Sequence, residues 1–408
     1  MLKRLATTSL IIMLALLHGS GASAATIATT HKTHPKQHKI TETSAAQKQM
    51  AAAKHSTRTA ASRNASSYRV SKRRHSYERF HASSFAENQV EGDITAGEDP
   101  IVRAAAVEAL GNMNGTIVAM DPDSGRVLAM VNQKLALSAG AQPCSTIKVA
   151  VALAALSENV VTKDTVVPLG KYWRMDMTEA LAHSNNAYFE AVGRKLGFER
   201  VSYYARQFGL GEMAGWNIEG EHTGIFPATE LDAKLGGVGK MCSFGESISL
   251  TPLQLAALMG AIANGGTLYY LQHPTTPEDI TNFTPKVKRK LDIGPLIPEI
   301  SDGMSGAVEY GTARALRTSF IEEPILGKTG TCSKNGTRFG WFGSYANTEY
   351  GRIVTVIFLE GGRPTFGPKA AELAGHLYRN LYDHDFFAVK PVAVPVHTAA
   401  SNAGAAQQ

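Results

Sequence analysis

Ser145 and Lys148 are the residues whose types and spacing first suggest chemistry. They stand in Pro143-Cys144-Ser145-Thr146-Ile147-Lys148, ahead of the apolar run Val149-Ala150-Val151-Ala152-Leu153-Ala154-Ala155-Leu156. Ala and Leu are strong helix formers, Pro143 cannot continue a helix backwards and serine suits a helix N-terminus, so a loop is expected to become a helix at Ser145. Three residues apart on that helix, a hydroxyl and an amine share one face. A hydroxyl is a poor nucleophile at neutral pH. An amine whose pKa is lowered by burial can take its proton, while a helix N-terminus offers backbone N–H groups to a developing oxyanion. These are the parts needed for acyl transfer. An S-x-x-K alone equally fits an ordinary capped core helix, so its partners must decide.

Two candidate partners follow in order. Ser184-Asn185-Asn186 stands at the start of another helical pattern, and Lys328-Thr329-Gly330-Thr331 follows the apolar Ile325-Leu326-Gly327. The S-x-N element is matched elsewhere, at Ser62/Asn64, Ser157/Asn159 and Ser333/Asn335. Ser62 lies in a low-complexity tail. Ser157 is roughly 18 Å along the nucleophile helix from Ser145, and Ser333 is roughly 16 Å beyond Lys328 on the same strand. Only Ser184 is free to fold back. S-x-x-K, S-x-N and K-T-G in this order resemble the penicillin-binding serine transpeptidases and the serine β-lactamases.

The elements that must position these residues come from the rest of the chain. Met1-Leu2-Lys3-Arg4 is a basic start, Leu5 to Leu17 a largely apolar core and Ala22-Ser23-Ala24 a small-residue cleavage signal, so residues 1–24 read as a secretory signal peptide. A retained membrane anchor is the alternative, but about thirteen residues fall short of the ~20 a spanning helix needs. Residues 25–96 are rich in Thr, Ser, Ala, Gln, His, Lys and Arg with hardly any large aliphatic side chains, and are expected to be a disordered basic tail. Between Ala25 and Val90 twelve Lys and Arg stand against three acids, a net +9 that exceeds the formal +6 of the whole chain. Such a tail could hold the protein at anionic lipid head groups or wall polymers, or act only as a solvated spacer. Nucleic acid is not an expected partner of an exported, periplasmic or otherwise extracytoplasmic chain. The six tail histidines lack metal-site spacing, and no metal or cofactor is expected.

From 97 to 388 the composition turns globular, with enough residues for one large domain or two subdomains sharing a cleft. Gly115 to Met120 and Arg126 to Val131 are β-prone runs joined by Asp121-Pro122-Asp123-Ser124-Gly125, a hairpin signal. Residues 177–215 read as helix, turn and helix around Ser184. Three further strands, Ile325 to Ser333, Gly340 to Asn347 and Arg352 to Gly361, precede a helix from about Pro368 to Phe386. Strands at both ends with helices between them imply an α+β fold. Its parts are an antiparallel five-stranded sheet flanked by helices and an all-helical subdomain, with the active site in the cleft between. Residues 389–408, rich in Pro, Val and Ala, read as a disordered tail.

The resemblance extends to the "MDP…G.VLAM" hairpin text, the "TPLQ…AIANGG" segment from Thr251 to Gly266 and the Gly311-Thr312-Ala313 turn. It implies roles residue by residue. Ser145 is the acylated nucleophile and Lys148 its base; Ser184 relays a proton to the leaving nitrogen; Asn186 orients Lys148 and the substrate amide. Lys328 supplies positive potential, Gly330 lets substrate backbone lie against the strand, and Thr329 and Thr331 bind the substrate carboxylate. The N–H groups of Ser145 and Thr331 form the oxyanion hole. Simpler roles stay open for some of them: Ser184 as a helix cap, Lys328 as a solvated charge, Trp341 as core instead of cleft wall.

Within the family, the hairpin and "TPLQ" text favour a D,D-transpeptidase acting on peptidoglycan stem peptides and acylated by β-lactam antibiotics. With no glycosyltransferase-sized domain ahead of the site, it would be monofunctional. One alternative is a β-lactamase, for which Thr229-Glu230-Leu231-Asp232 offers a faint water-activating loop; another is a binding protein or sensor without turnover. If the implied oxyanion hole draws Ser145 and Thr331 together, Cys144 and Cys332 fall within the ~4.4–6.8 Å Cα separation of a disulfide, as their export would permit. The same two positions resemble those bridged in carbapenem-hydrolysing class A β-lactamases, and Cys242 would stay free.

Overall fold

A computed structural model of the protein describes residues 79–348 and 351–388. The expected signal segment, most of the basic tail and the C-terminal tail lie outside the described residues. Five antiparallel strands, β1 (Gly115–Met120), β2 (Val127–Val131), β3 (Ile325–Lys334), β4 (Thr337–Asn347) and β5 (Arg352–Gly361), form one sheet in the order β2-β1-β5-β4-β3. The helices that cover the sheet or carry the site are α1 (Pro100–Leu110), α2 (Ile147–Ser157), α3 (Met177–Ala182), α4 (Asn186–Gln207, interrupted at Gly197), α5 (Gly237–Phe244), α6 (Pro252–Ala263), α7 (Ile297–Glu309) and α8 (Gly367–Asp383). The expected hairpin, the three late strands and the helix–turn–helix around Ser184 are all present.

Pairing of β1 with β5, in the register Val118↔Val356, joins the two ends of the domain. Side chains alternate across these strands. Ile117, Ala119, Ile357 and Leu359 enter an apolar cluster with α1 and α8, whereas Val118, Met120, Val356 and Phe358 enter another with α2 and α6. A sheet buried on both faces needs no polar side, so β1 and β5 read in the sequence as largely apolar runs, with Thr116 and Thr355 buried among them. Every residue of α2 from Ile147 to Leu156 is buried, Lys148 included. A helix that is apolar all round belongs in a core, and α2 packs against α4 and α5 in the helical layer.

The expected domain boundary at residue 97 needs correction, because residues 79–96 already belong to the folded body. Ser84 is 4% exposed; its Oγ accepts the Gly362 N–H at 2.9 Å and lies 3.0 Å from Thr365 Oγ1. The Asp93 carboxylate pairs with Arg103 at 2.7 Å and accepts the N–H groups of Asn132 and Gln133. This segment is held by polar side chains that satisfy buried backbone donors of the sheet ends. An argument from its lack of apolar residues could not detect that kind of anchoring.

Candidate active site

The chain enters α2 through a 3₁₀ turn, Cys144–Thr146, with Cys144 in the left-handed region at φ 53°. The helix proper begins at Ile147, two residues later than the sequence suggested, and Ser145 does not cap it. The nearby hydroxyl that closes the turn is that of Thr146, which donates to the Pro143 carbonyl at 2.7 Å. Ser145 Oγ is thereby left to approach Lys148 Nζ, 3.0 Å away. Ser145 is 9% exposed and Lys148 fully buried, so the hydroxyl sits at the edge of solvent and the amine behind it.

The turn between α3 and α4 supplies the remaining contacts of that amine. Lys148 Nζ lies 2.7 Å from the Ser184 carbonyl oxygen, 2.6 Å from Asn186 Oδ1 and 3.2 Å from Ser184 Oγ. Ser184 reaches this position with φ 55°, a left-handed conformation that a non-glycine residue adopts at a cost and that clusters at functional sites. It is no helix cap, for Asn185 caps α4 by accepting the Tyr188 N–H at 2.9 Å. Valence then fixes the direction of each bond. The Ser184 carbonyl and Asn186 Oδ1 can only accept, so they take both N–H groups of a neutral amine. The nitrogen lone pair is left for a hydroxyl proton, and Ser145 is nearest. Burial first, then the neighbouring Lys328 charge, pushes the Lys148 amine down to about 6, against an upward pull from Glu190. A neutral amine is therefore available near neutral pH.

Strand β3 brings the third motif to the same place. Lys328 is 1% exposed, so it is no solvated strand charge, and burial holds its ammonium down to about 7. Nζ donates to the Thr329 carbonyl at 3.1 Å, and among the described residues no carboxylate pairs with it. Thr329 Oγ1 and Thr312 Oγ1 share a hydrogen bond of 2.6 Å. Thr331 Oγ1 accepts the Gly367 N–H at 2.8 Å, which leaves its own proton for an incoming anion.

Two glycines set how closely the layers approach β3. A Cβ on Gly330 would stand 2.8 Å from the Pro143 carbonyl oxygen and 3.2 Å from Thr146 Cγ2, and one on Gly367 would stand 2.8 Å from the Gly330 oxygen. Gly330 is thus required by the nucleophile turn itself, a reason beyond the substrate clearance expected of it. Trp341 is fully buried core: its ring stacks on Phe358 at 4.1 Å and its indole N–H donates to the Gln142 carbonyl at 3.0 Å, pinning the approach to the turn. Cys144 and Cys332 are joined as a disulfide with Cα atoms 5.5 Å apart. Cys242 is free and buried, and burial pushes its thiol up to about 12.

All the expected site residues therefore meet at one place. The roles of Gln142 and Thr312 were missed. Thr312 carried a signal in the Gly311-Thr312-Ala313 turn, whereas a backbone carbonyl such as that of Gln142 leaves none in a sequence. Thr229 to Asp232 adds nothing to this site: Glu230 is exposed, and Asp232 accepts the Lys234 N–H in a 3₁₀ turn.

Known proteins resemble this chain. A family model described as the penicillin binding protein transpeptidase domain matches residues 115–382. Stage V sporulation protein D of Bacillus subtilis is 27% identical over 327 residues, covering 67% of this chain and 50% of that protein. Peptidoglycan D,D-transpeptidase MrdA of Acinetobacter baumannii is 24% identical over 357 residues, 69% of this chain and 52% of that one. The chain thus spans about half the length of these curated relatives. Among solved structures, PBP2 of Pseudomonas aeruginosa in complex with WCK 5153 superposes with a TM-score of 0.59 at 24% identity, over 70% of this chain and 74% of that one, a likeness of fold.

Proposed function

The chain belongs to the penicillin-binding protein transpeptidase family, and on that premise we propose that it is an exported serine D,D-transpeptidase acting on peptidoglycan stem peptides. The observation that carries the reading is the placement of Lys148 Nζ, 2.7 and 2.6 Å from the Ser184 and Asn186 carbonyl oxygens and 3.0 Å from Ser145 Oγ, which in the neutral amine leaves the lone pair for the hydroxyl proton. Ser145 Oγ attacks the carbonyl of the penultimate D-Ala as its proton passes to Lys148. The N–H groups of Ser145 and Thr331 stabilise the oxyanion. The proton then moves through Ser184 Oγ to the departing D-Ala nitrogen, while Lys328, Thr329 and Thr331 hold the carboxylate. An acceptor amine later reverses these steps on the acyl-enzyme.

A peptide ending in D-Ala-D-Ala, incubated with the protein and isotopically labelled D-alanine, is expected to exchange its terminal residue for the label, and penicillin is expected to stop the exchange. Release of D-Ala with no label incorporated would make the protein a hydrolase. The one observation favouring a β-lactamase is the Cys144–Cys332 pair, at positions similar to those bridged in carbapenem-hydrolysing enzymes. Against it, Glu230 is exposed and makes no hydrogen bond with Ser145 or Lys148.

Export through residues 1–24 would place the protein in an oxidising compartment, with the basic tail facing anionic wall polymer or membrane. Peptide mapping of the unreduced exported protein is expected to recover the Cys144 and Cys332 peptides linked, with Cys242 resisting alkylation until the protein unfolds. A link through Cys242, or three free thiols, would contradict this.

A further inference from the structure

Beside the catalytic residues lies a cavity of about 800 Å³, lined among others by His183, Tyr310, Thr312, Arg314 and Phe366. Three of these wall residues lead directly to the site. Thr312 hydrogen-bonds Thr329, His183 immediately precedes Ser184, and Phe366 precedes Gly367, whose N–H bonds Thr331. The cavity therefore opens on the carboxylate-binding side of β3, where the departing residue of the donor must leave. Its charges are arranged unevenly. The lining residues Tyr310 and His183 are both engaged with Glu179, outside the cavity, the Tyr310 hydroxyl at 2.9 Å and His183 at 3.2 Å. Arg314 is exposed and, among the described residues, has no ion-pair partner, although Arg317 on the same turn is paired with Glu309.

An acceptor amine has to arrive where the leaving amine departs, because its attack is the reverse of that departure. We propose that this cavity receives the acyl acceptor and that Arg314 pairs with an acidic group on the acceptor, additional to the carboxylate next to the reacting amine. The inference rests on the transpeptidase reading above and names the acceptor class: an amino acid or peptide amine that carries a second, acidic substituent. In the step itself the acceptor nitrogen attacks the ester carbonyl, the new C–N bond forms as the bond to Ser145 Oγ breaks, and the proton lost by the amine returns to Ser145 Oγ. Arg314 takes no part in that proton transfer. A guanidinium fixes a carboxylate by charge-assisted, often bidentate hydrogen bonds, and a carboxamide of the same shape cannot replace them.

D-glutamate and D-glutamine as competing acceptors separate this charge from every other property, since they share a backbone carboxylate and a side-chain length. With a D-Ala-D-Ala peptide as donor, the wild-type protein is expected to favour D-glutamate about tenfold or more in kcat/KM. The preference should vanish in Arg314→Ala, reverse in Arg314→Glu and persist in part in Arg314→Lys. Because the readout is a ratio within each variant, any general loss of activity cancels. A wild-type preference that survives Arg314→Ala, or no preference at all in a protein that exchanges D-alanine, overturns the inference alone. Failure of penicillin to acylate Ser145 would instead overturn the reading beneath it.

Discussion

Penicillin leaves the mass of the Ser145→Ala protein unchanged, whereas the unaltered protein gains the mass of one penicillin. This result is expected because Ser145 Oγ is the hydroxyl nearest the one lone pair that the Lys148 amine has free, at 3.0 Å. The rival hydroxyl is Ser184 Oγ at 3.2 Å. Ser184 sits in the turn between α3 and α4, on a different element from the 3₁₀ turn that carries Ser145. Loss of a serine nucleophile costs about 10⁴-fold or more in turnover in comparable enzymes, so the adduct is expected to be absent, not merely slow. Tryptic mapping of the unaltered adduct should place it on the peptide containing Ser145. Labelling that persists in Ser145→Ala, on Ser184 or elsewhere, would contradict the assignment.

In Lys148→Ala the second-order rate of acylation by penicillin falls by about 10²–10⁴-fold, the usual contribution of a positioned base. The pH dependence carries the sharper information. The amine acts as a base only when unprotonated, and its folded-state pKa is lowered to about 6, so the rate of the unaltered protein should rise as pH increases through that value. Lys328 works in the opposite sense. Its buried charge draws in the substrate carboxylate, and burial lowers its pKa to about 7, so the free protein loses that attraction as pH rises further. The two limbs belong to the pair, since each charge opposes the other. Lys148→Ala should lack the acidic limb altogether. Lys148→Arg should be no better, because a guanidinium keeps its proton throughout. Stopped-flow acylation over pH tests this. A rate that stays flat while Lys148 titrates would remove Lys148 as the base.

The chemistry was legible in the sequence because it resides in short spacings. Ser145 and Lys148 are brought together by a single turn of helix, and Lys328 to Thr331 by one strand, so local geometry suffices. The five strands were legible for a different reason. Burial on both faces turns β1 and β5 into apolar runs bounded by turn residues. What the sequence hid depends on partners distant in the chain. Gly330 looked like room for a substrate, and only the approach of Pro143 shows that the nucleophile turn also needs a glycine there. Trp341 could have faced the cleft or the core until the Gln142 carbonyl fixed its indole. Residues 79–96 read as tail because Ser84 and Asp93 anchor them through hydrogen bonds to backbone more than 30 residues away, a contribution that composition does not register.

The fate of the wild-type adduct tests the central claim most directly. A transpeptidase acyl-enzyme waits for an amine, and among the described residues no carboxylate hydrogen-bonds to Ser145 or Lys148 to activate water. The carboxylate that bears on Lys148, that of Glu190, is itself paired with Lys240 at 3.3 Å and Arg194 at 3.5 Å. The protein should be acylated with penicillin, freed of excess drug and followed by intact-mass spectrometry, with nitrocefin turnover measured in parallel. The account expects the adduct on Ser145 to persist long after the drug is removed and nitrocefin to be opened about once per molecule of protein. Rapid return to the unmodified mass, with sustained nitrocefin hydrolysis, would contradict it and identify a β-lactamase.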